Sequence, residues 1–183
     1  MNYSELPVIE NERIRLRPIT DFDTDLIVSW RNKEDVKKNF LYRSDFTADL
    51  HKKWLEEKVY RGGVIQFIIE YKLKLESNFI PVGSVYLRDI DYELSSAEFG
   101  IFIGEDAARK KGIGTLATKI ITEFGHTKLN LHRIFLRLIS DNISAYKAYR
   151  SAGFVLEGVF RDMRKIDGNY IDIMFMSSIK QDS

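Results

Sequence analysis

The apolar residues of this chain change period several times, and each change marks an element. Between Asn11 and Pro18, Ile14 and Leu16 alternate with Arg13, Arg15 and Arg17, the two-residue period of a strand with one wet face. Residues 23–31 read as a short helix whose first turn carries Asp23 and Asp25, which suit the positive end of a helix dipole. Residues 34–40 add further helical turns, and Thr47 is suited to cap a helix through Arg61 with Leu50, Trp54 and Leu55 along one side. Residues 64–71 and 81–88 are β-rich and joined by a polar link, which predicts a hairpin with a long loop. A strand follows over 97–103. Then Ile113, Leu116, Ala117, Ile120, Ile121 and Phe124 fall at helical spacing, predicting a helix to about Leu129. A strand over 132–139, a helix over 142–151 ended by Gly153, and two strands over 154–165 and 170–178 complete the chain, the last two joined through Asp167 and Gly168.

This order predicts an α/β (α+β) fold: one mixed sheet with helices on both faces. The strand at 97–103 and the strand at 132–139 are joined by a helix, so they are expected to be parallel neighbours. At 183 residues the chain has room for one sizeable core, and a single domain over 1–183 is expected. No apolar run approaches the ~18 residues of a membrane span, and Met1-Asn-Tyr-Ser-Glu lacks a basic-then-apolar leader, so a cytoplasmic location is expected. A net charge of +1 without a face-long block of lysine and arginine does not indicate a nucleic-acid footprint. With no cysteine, disulfides and thiolate metal sites are unavailable, and no metal is expected.

Chemistry concentrates in two stretches. In the first, Arg109, Lys110, Lys111, Gly112, Ile113, Gly114 and Thr115 lead into the helix at 113. Glycines allow close backbone approach, and the free N–H groups of a first helical turn make an anion site suited to phosphate or pyrophosphate. A plain basic surface turn would have the same composition. The Walker A spacing is absent, because Gly104 is followed five residues on by Arg109 and Lys110. Gly112-x-Gly114-x-x-Ala117 has the form of a dinucleotide fingerprint, yet eight residues separate it from Ile103, where that motif opens directly at its strand end. The second stretch is Asn142-Ile-Ser-Ala-Tyr-Lys-Ala-Tyr-Arg-Ser-Ala-Gly-Phe154, in which Asn142 can cap the helix and Ala145, Ala148 and Ala152 permit close approach.

Together these stretches resemble the GNAT N-acetyltransferase superfamily, whose Arg/Gln-x-x-Gly-x-Gly/Ala motif is matched by Arg109, Gly112 and Gly114, and whose later Asn-x-x-Ala-x-x-x-Tyr-x-x-x-Gly-Phe pattern is matched by Asn142, Ala145, Tyr149, Gly153 and Phe154. The resemblance implies the GNAT acyl-CoA N-acyltransferase fold, with a splayed parallel strand pair, and acetyl transfer from acetyl-CoA to a primary amine. It places the pyrophosphate on the backbone of residues 110–115, the pantetheine along Ile101, Phe102 and Ile103, and Asn142 and Ala145 against the cofactor. Tyr149 becomes the acid that protonates the departing thiolate. Glu98 is expected either to act as base or to face solvent or pair with a neighbouring arginine, with His51 and His132 as alternative bases and His126 a surface residue.

For the acceptor, the C-terminal part with Arg161, Asp162 and the hairpin at 165–172 resembles the branch of ribosomal-protein N-terminal and spermidine acetyltransferases. Trp30, Arg31 and Asn32, with His51 and Trp54, resemble enzymes acting on nucleotide-linked amino sugars. That likeness implies Arg31, Asn32, His51 and Trp54 as substrate residues, with Arg31 at a phosphate and Trp54 stacked on a base or sugar. The expected acceptor is a nucleotide-linked amino sugar, with a polyamine or a protein N-terminus as alternatives and a non-catalytic acyl-CoA-binding module as the rival of another class. A homodimer is also expected.

Overall fold

A computed structural model describes residues 3–74 and 76–181. In chain order the elements are β1 (Ile9–Glu10), β2 (Ile14–Pro18), α1 (Thr24–Asn32), α2 (Glu34–Lys37), α3 (Ala48–Trp54), β3 (Val64–Tyr71), β4 (Ile80–Asp91), β5 (Ser96–Ile103), α4 (Ile113–Thr127), β6 (Arg133–Ile139), α5 (Ile143–Ser151), β7 (Val155–Ile166) and β8 (Asn169–Ile179). The expected helix over 47–61 stops being regular after Trp54 and continues as a wide π-type turn over Leu55–Val59, closed by Tyr60 N–H on the carbonyl of Leu55. The expected hairpin of β3 and β4 is present.

The strands form one sheet in the order β1-β2-β3-β4-β5-β6-β8-β7, antiparallel throughout except for the parallel pair β5 and β6. Sequence parity alone sorts the side chains onto two faces. On one face Ile113, Ala117, Ile121 and Phe124 of α4 pack against Val85, Leu87, Ala97, Phe99 and Ile134, with α5 beside them. On the other, Ile27 and Trp30 of α1 join Leu55, Val59, Ile68 and Phe102. Each fully buried aliphatic or aromatic side chain contributes roughly 1.5–3 kcal/mol, so both helical layers are held mainly by this burial. Among the described residues no helix is long and apolar enough to cross a membrane.

Two features of the sheet position the site. The ladder between β5 and β6 covers only Ser96 with Arg133, Ala97 with Ile134 and Glu98 with Phe135. From Phe99 onward the edge of β5 toward β6 is unpaired, and backbone polar groups in such a position need another partner. Then α1 is fastened to the chain leaving β5. The Trp30 indole N–H donates to Glu105 Oε1 (2.5 Å) and the Lys33 ammonium to the carbonyl of Gly104 (2.8 Å).

Candidate active site

The basic loop lies just past the open end of β5. Lys110 and Gly112 both have positive φ, +59° and +76°, and α4 begins at Ile113 with Gly112 as its N-cap. Nothing lies within 4 Å of a Cβ built on Gly112, so its backbone conformation, not packing, favours glycine there. The amides of residues 110–115 have no backbone acceptor among the described residues, while Leu116 N–H is the first to close a helical bond, on Gly112. That row of free donors at the start of a 15-residue helix is an anion cradle in geometry as well as in composition. A Cβ on Gly114 would meet only Ile103 Cγ1, at 3.9 Å, so packing does not require glycine and the space above it is open. Lys110 and Lys111 are exposed, whereas Arg109 is tied to Asp106 (3.1 Å) and Asp35 (3.5 Å). Ile113 is buried and offers this site only its backbone.

The expected cofactor residues of β5 divide by parity. Ile101 and Ile103 face the α4 layer, and Phe102 points the other way, packed with Trp30 and Phe40. The Phe102 side chain therefore lies on the opposite side of the sheet from the cradle, as the strand period dictates, and only its backbone faces the unpaired edge of β5. On α5, Asn142 Oδ1 caps the helix by accepting from Ala145 N–H (3.1 Å), and its amide group donates to Asn39 Oδ1 (3.0 Å). Ala145 packs on the core of this face. Tyr149 stacks edge-on against Phe99, centroids 5.7 Å apart, and its hydroxyl has no hydrogen bond among the described residues. Burial raises its pKa, so Tyr149 keeps its proton at neutral pH.

Glu98 is buried at the last rung of the ladder. Its carboxylate accepts from Arg88 (2.9 Å) on β4 and from Nε and a terminal nitrogen of Arg137 on β6 (3.1, 3.1 and 2.9 Å). Both oxygens are thus occupied by guanidinium groups, the arginine-pairing arrangement that the sequence left open. His132 is exposed, and His126 is held between the carbonyl of Leu131 (2.8 Å) and Ser178 Oγ (3.0 Å).

Across the sheet from the cradle, a cavity opens between α1, α3 and strands β3 to β5. Arg31, His51 and Trp54 line it together with Gln66, Tyr86 and Arg88. Asn32 does not. Its side chain is spent on the backbone of Phe46, accepting from the N–H (2.9 Å) and donating to the carbonyl (2.8 Å), which holds the segment between α2 and α3. His51 is fully buried with Nδ1 3.0 Å from Thr24 Oγ1, and desolvation lowers its pKa to about 4, leaving it neutral. The Trp54 indole N–H donates to Gln66 Oε1 (2.8 Å), and Gln66 donates to Ser84 (3.0 Å). Tyr86 reaches the cavity by lying over Gly100. A Cβ there would fall 2.3 Å from Tyr86 Cζ. A glycine inside an aromatic strand signals such close approach, and it was the one sequence mark of Tyr86. Arg88 and Gln66 had none.

An amide cradle for an anion, an unpaired strand edge leading from it, a protonated tyrosine at that edge and a separate cavity beyond define an acyl-carrier-dependent transferase. The comparisons narrow this to a family: the model of the acetyltransferase (GNAT) domain matches residues 13–155, and the chain belongs to that family. It is an N-acetyltransferase with acetyl-CoA as donor. The chain is 29% identical to spermidine N(1)-acetyltransferase of Vibrio cholerae over 170 residues, 91% of this chain and 92% of the relative. It is 25% identical to the uncharacterized N-acetyltransferase p20 of Bacillus licheniformis over 97% and 98% of the two chains. A crystal structure of the Vibrio cholerae spermidine N-acetyltransferase in complex with CoA and spermine superposes with a TM-score of 0.82, at 26% identity over 93% of this chain and 97% of that one. A dodecameric structure of the same enzyme matches at TM-score 0.75, 25% identity, over 93% and 95%. None of these relatives bears a name pointing to the ribosomal-protein or nucleotide-aminosugar branches that the sequence suggested.

Proposed function

We propose that this chain transfers an acetyl group directly from acetyl-CoA to the primary amine of a small molecule held in the cavity of Arg31, His51 and Tyr86. The observation that carries the reading is the break in the β5–β6 ladder after Glu98, because it joins the two faces of the sheet at one point. Amides 110–115 would hold the pyrophosphate, and the unpaired edge of β5 beside Ile101 and Ile103 would pair with the amides of the pantetheine arm. Asn142 and Ala145 would border it. The neutral amine nitrogen attacks the thioester carbon, the carbon–sulfur bond breaks, and Tyr149 gives its proton to the leaving sulfur. The amine's proton leaves to solvent, and Tyr149 regains a proton from solvent, which closes the cycle. Glu98, locked between Arg88 and Arg137, is a staple at the root of the split rather than the base, and His51 is too weak a base at neutral pH.

The relatives named for spermidine support a polyamine as acceptor, ahead of the amino sugar that the sequence favoured. They also support assembly of several copies, beyond the homodimer the sequence suggested. A free-thiol assay with acetyl-CoA and a panel of polyamines, nucleotide amino sugars and N-terminal peptides tests the function. Release of CoA that depends on one amine class is expected. Acetyl-CoA binding without release by any of them would leave the non-catalytic module as the reading.

A further inference from the structure

Arg31 is the unusual residue of the acceptor cavity. Its guanidinium lies over the rings of Phe40 and Phe46, 4.2 and 4.3 Å from their centroids, with no hydrogen bond or ion pair to any described residue. Its Nε is buried without a partner, and desolvation lowers its pKa, a sign of a cation held out of water. The same cavity contains two more unpartnered buried nitrogens, Nε of Arg88 and Nε2 of His51. The Asp89 carboxylate lies 3.7 Å from Arg88 Nε, beyond hydrogen-bond reach.

Carboxylates that a polycation would need are engaged elsewhere. Glu98 is held by Arg88 and Arg137, Asp23 by Arg17 at 2.7 Å, and Glu105 by Trp30, and no carboxylate lines the cavity. Two arginines therefore face a space whose other free polar atoms are the neutral imidazole and the Tyr86 hydroxyl. A buried, unpaired guanidinium is costly unless something it binds compensates it. An arginine stacked on aromatic rings keeps its N–H edge for a ligand, the geometry that receives a carboxylate or phosphate.

We propose that the acceptor carries an anionic group on the same molecule as its amine, and that Arg31, assisted by Arg88, is the receptor for that anion. The proposal rests on the cavity being the acceptor site, and it changes the acceptor class: a polyamine would place cationic groups against Arg31. The two rings orient the guanidinium edge, so the anion is held at a fixed distance from the split where the amine must arrive. Binding energy from this remote group would position the amine at the thioester.

The test compares matched amines in the thiol-release assay: ethanolamine against phosphoethanolamine, propylamine against β-alanine, and spermidine. The anionic member of at least one pair should show kcat/KM tenfold or more above its neutral partner and above spermidine. The phosphate and carboxylate pairs tell the two sources apart. Arg31→Met, which keeps a side chain against the rings, should raise KM for the favoured anionic amine at least thirtyfold, leave its neutral partner within threefold, and leave the melting temperature unchanged or higher. Arg31→Lys should recover part of the loss. Spermidine preferred tenfold with Arg31→Met indifferent would overturn the proposal while leaving the acetyltransferase reading intact. So would a lowered melting temperature with KM for anionic amines unmoved, which would assign Arg31 to the fold. Acetyl-CoA failing to bind in calorimetry would count against the acetyltransferase reading instead.

Discussion

Gly112 and Gly114 belong to the same motif, yet the structure gives them different reasons to be glycine, and substitution separates the two. Gly114 is the second residue of α4, and a Cβ there touches only Ile103 at 3.9 Å. Gly114→Leu should therefore gain helix propensity, on the order of 0.5–1 kcal/mol, which for a chain of this size raises the melting temperature by about 1–3 °C. A helical side chain leans toward the N-terminus of its helix, so the leucine would overhang the amides of 110–113, where the phosphate oxygens are expected. Losing one or two charge-assisted hydrogen bonds, at roughly 1.5–3 kcal/mol each, weakens CoA binding about tenfold to ten-thousandfold. Gly112→Ala works the other way on stability. At φ +76° a Cβ costs about 1–2 kcal/mol, lowering the melting temperature by about 2–6 °C, and any effect on CoA comes through the distorted turn. Thermal denaturation and calorimetric CoA titration of both variants read this out. A stabilised Gly114→Leu protein that binds CoA within threefold of the parent would refute the pyrophosphate assignment, because nothing else in the structure explains the open space at 114.

Tyr149→Phe removes a hydroxyl that has no partner among the described residues, so it should leave the melting temperature and CoA affinity unchanged while turnover falls at least tenfold; full turnover would dismiss Tyr149 as the acid. Glu98→Gln leaves Arg88 and Arg137 facing each other without a counter-charge. Both guanidiniums are about a quarter exposed, so the cost is set at about 2–3 kcal/mol, below the usual range for a fully buried pair. The variant should melt several degrees lower with its pH–rate profile unaltered in shape, and loss of an acidic inflection at unchanged stability would restore Glu98 as base. His51 is neutral in the fold, with its pKa lowered from 6.5 to about 4. Its contribution to stability is therefore complete above pH 6.5 and drains away as pH falls toward 4. His51→Gln should flatten the decline of melting temperature across that window, and an equally steep decline would show that other groups cause it.

What could be read from the chain was whatever is settled within a few residues. The cradle is local: a glycine at positive φ, amides freed by a helix start, basic neighbours. The asparagine cap of α5 and the tyrosine two turns later are local too. The parallel pairing of β5 and β6 followed from a helical crossover between them. The cavity of Arg31, His51 and Tyr86 is not local. It draws on residues from Ile27 to Phe102, brought together by strand registers that no short-range pattern fixes. Glu98 illustrates the difference, since its role turns on Arg88 directly across one ladder and Arg137 two residues beyond the last rung of another. Asn32 shows it again: it follows Arg31 directly in α1, yet is committed to Phe46, which is fourteen residues away.

The direction of the Phe102 side chain was legible. A two-residue period separates it from Ile101 and Ile103, so the three side chains cannot all line one groove. Applying that period along β5 also explains the site as a whole. Ala97, Phe99, Ile101 and Ile103 meet the helical layer that carries the cradle and Tyr149, while Glu98, Gly100 and Phe102 meet the layer that carries Arg31, Tyr86 and Arg88. A strand paired on both edges would keep these faces apart. On the proposed function, donor and acceptor would meet where β6 leaves β5 after Glu98, and the opening begins where Phe99 supports Tyr149 and Gly100 yields its space to Tyr86. The glutamate that resembled a base is thus more informative as the point where the sheet is pinned, since whatever holds the last rung sets where the two substrates meet.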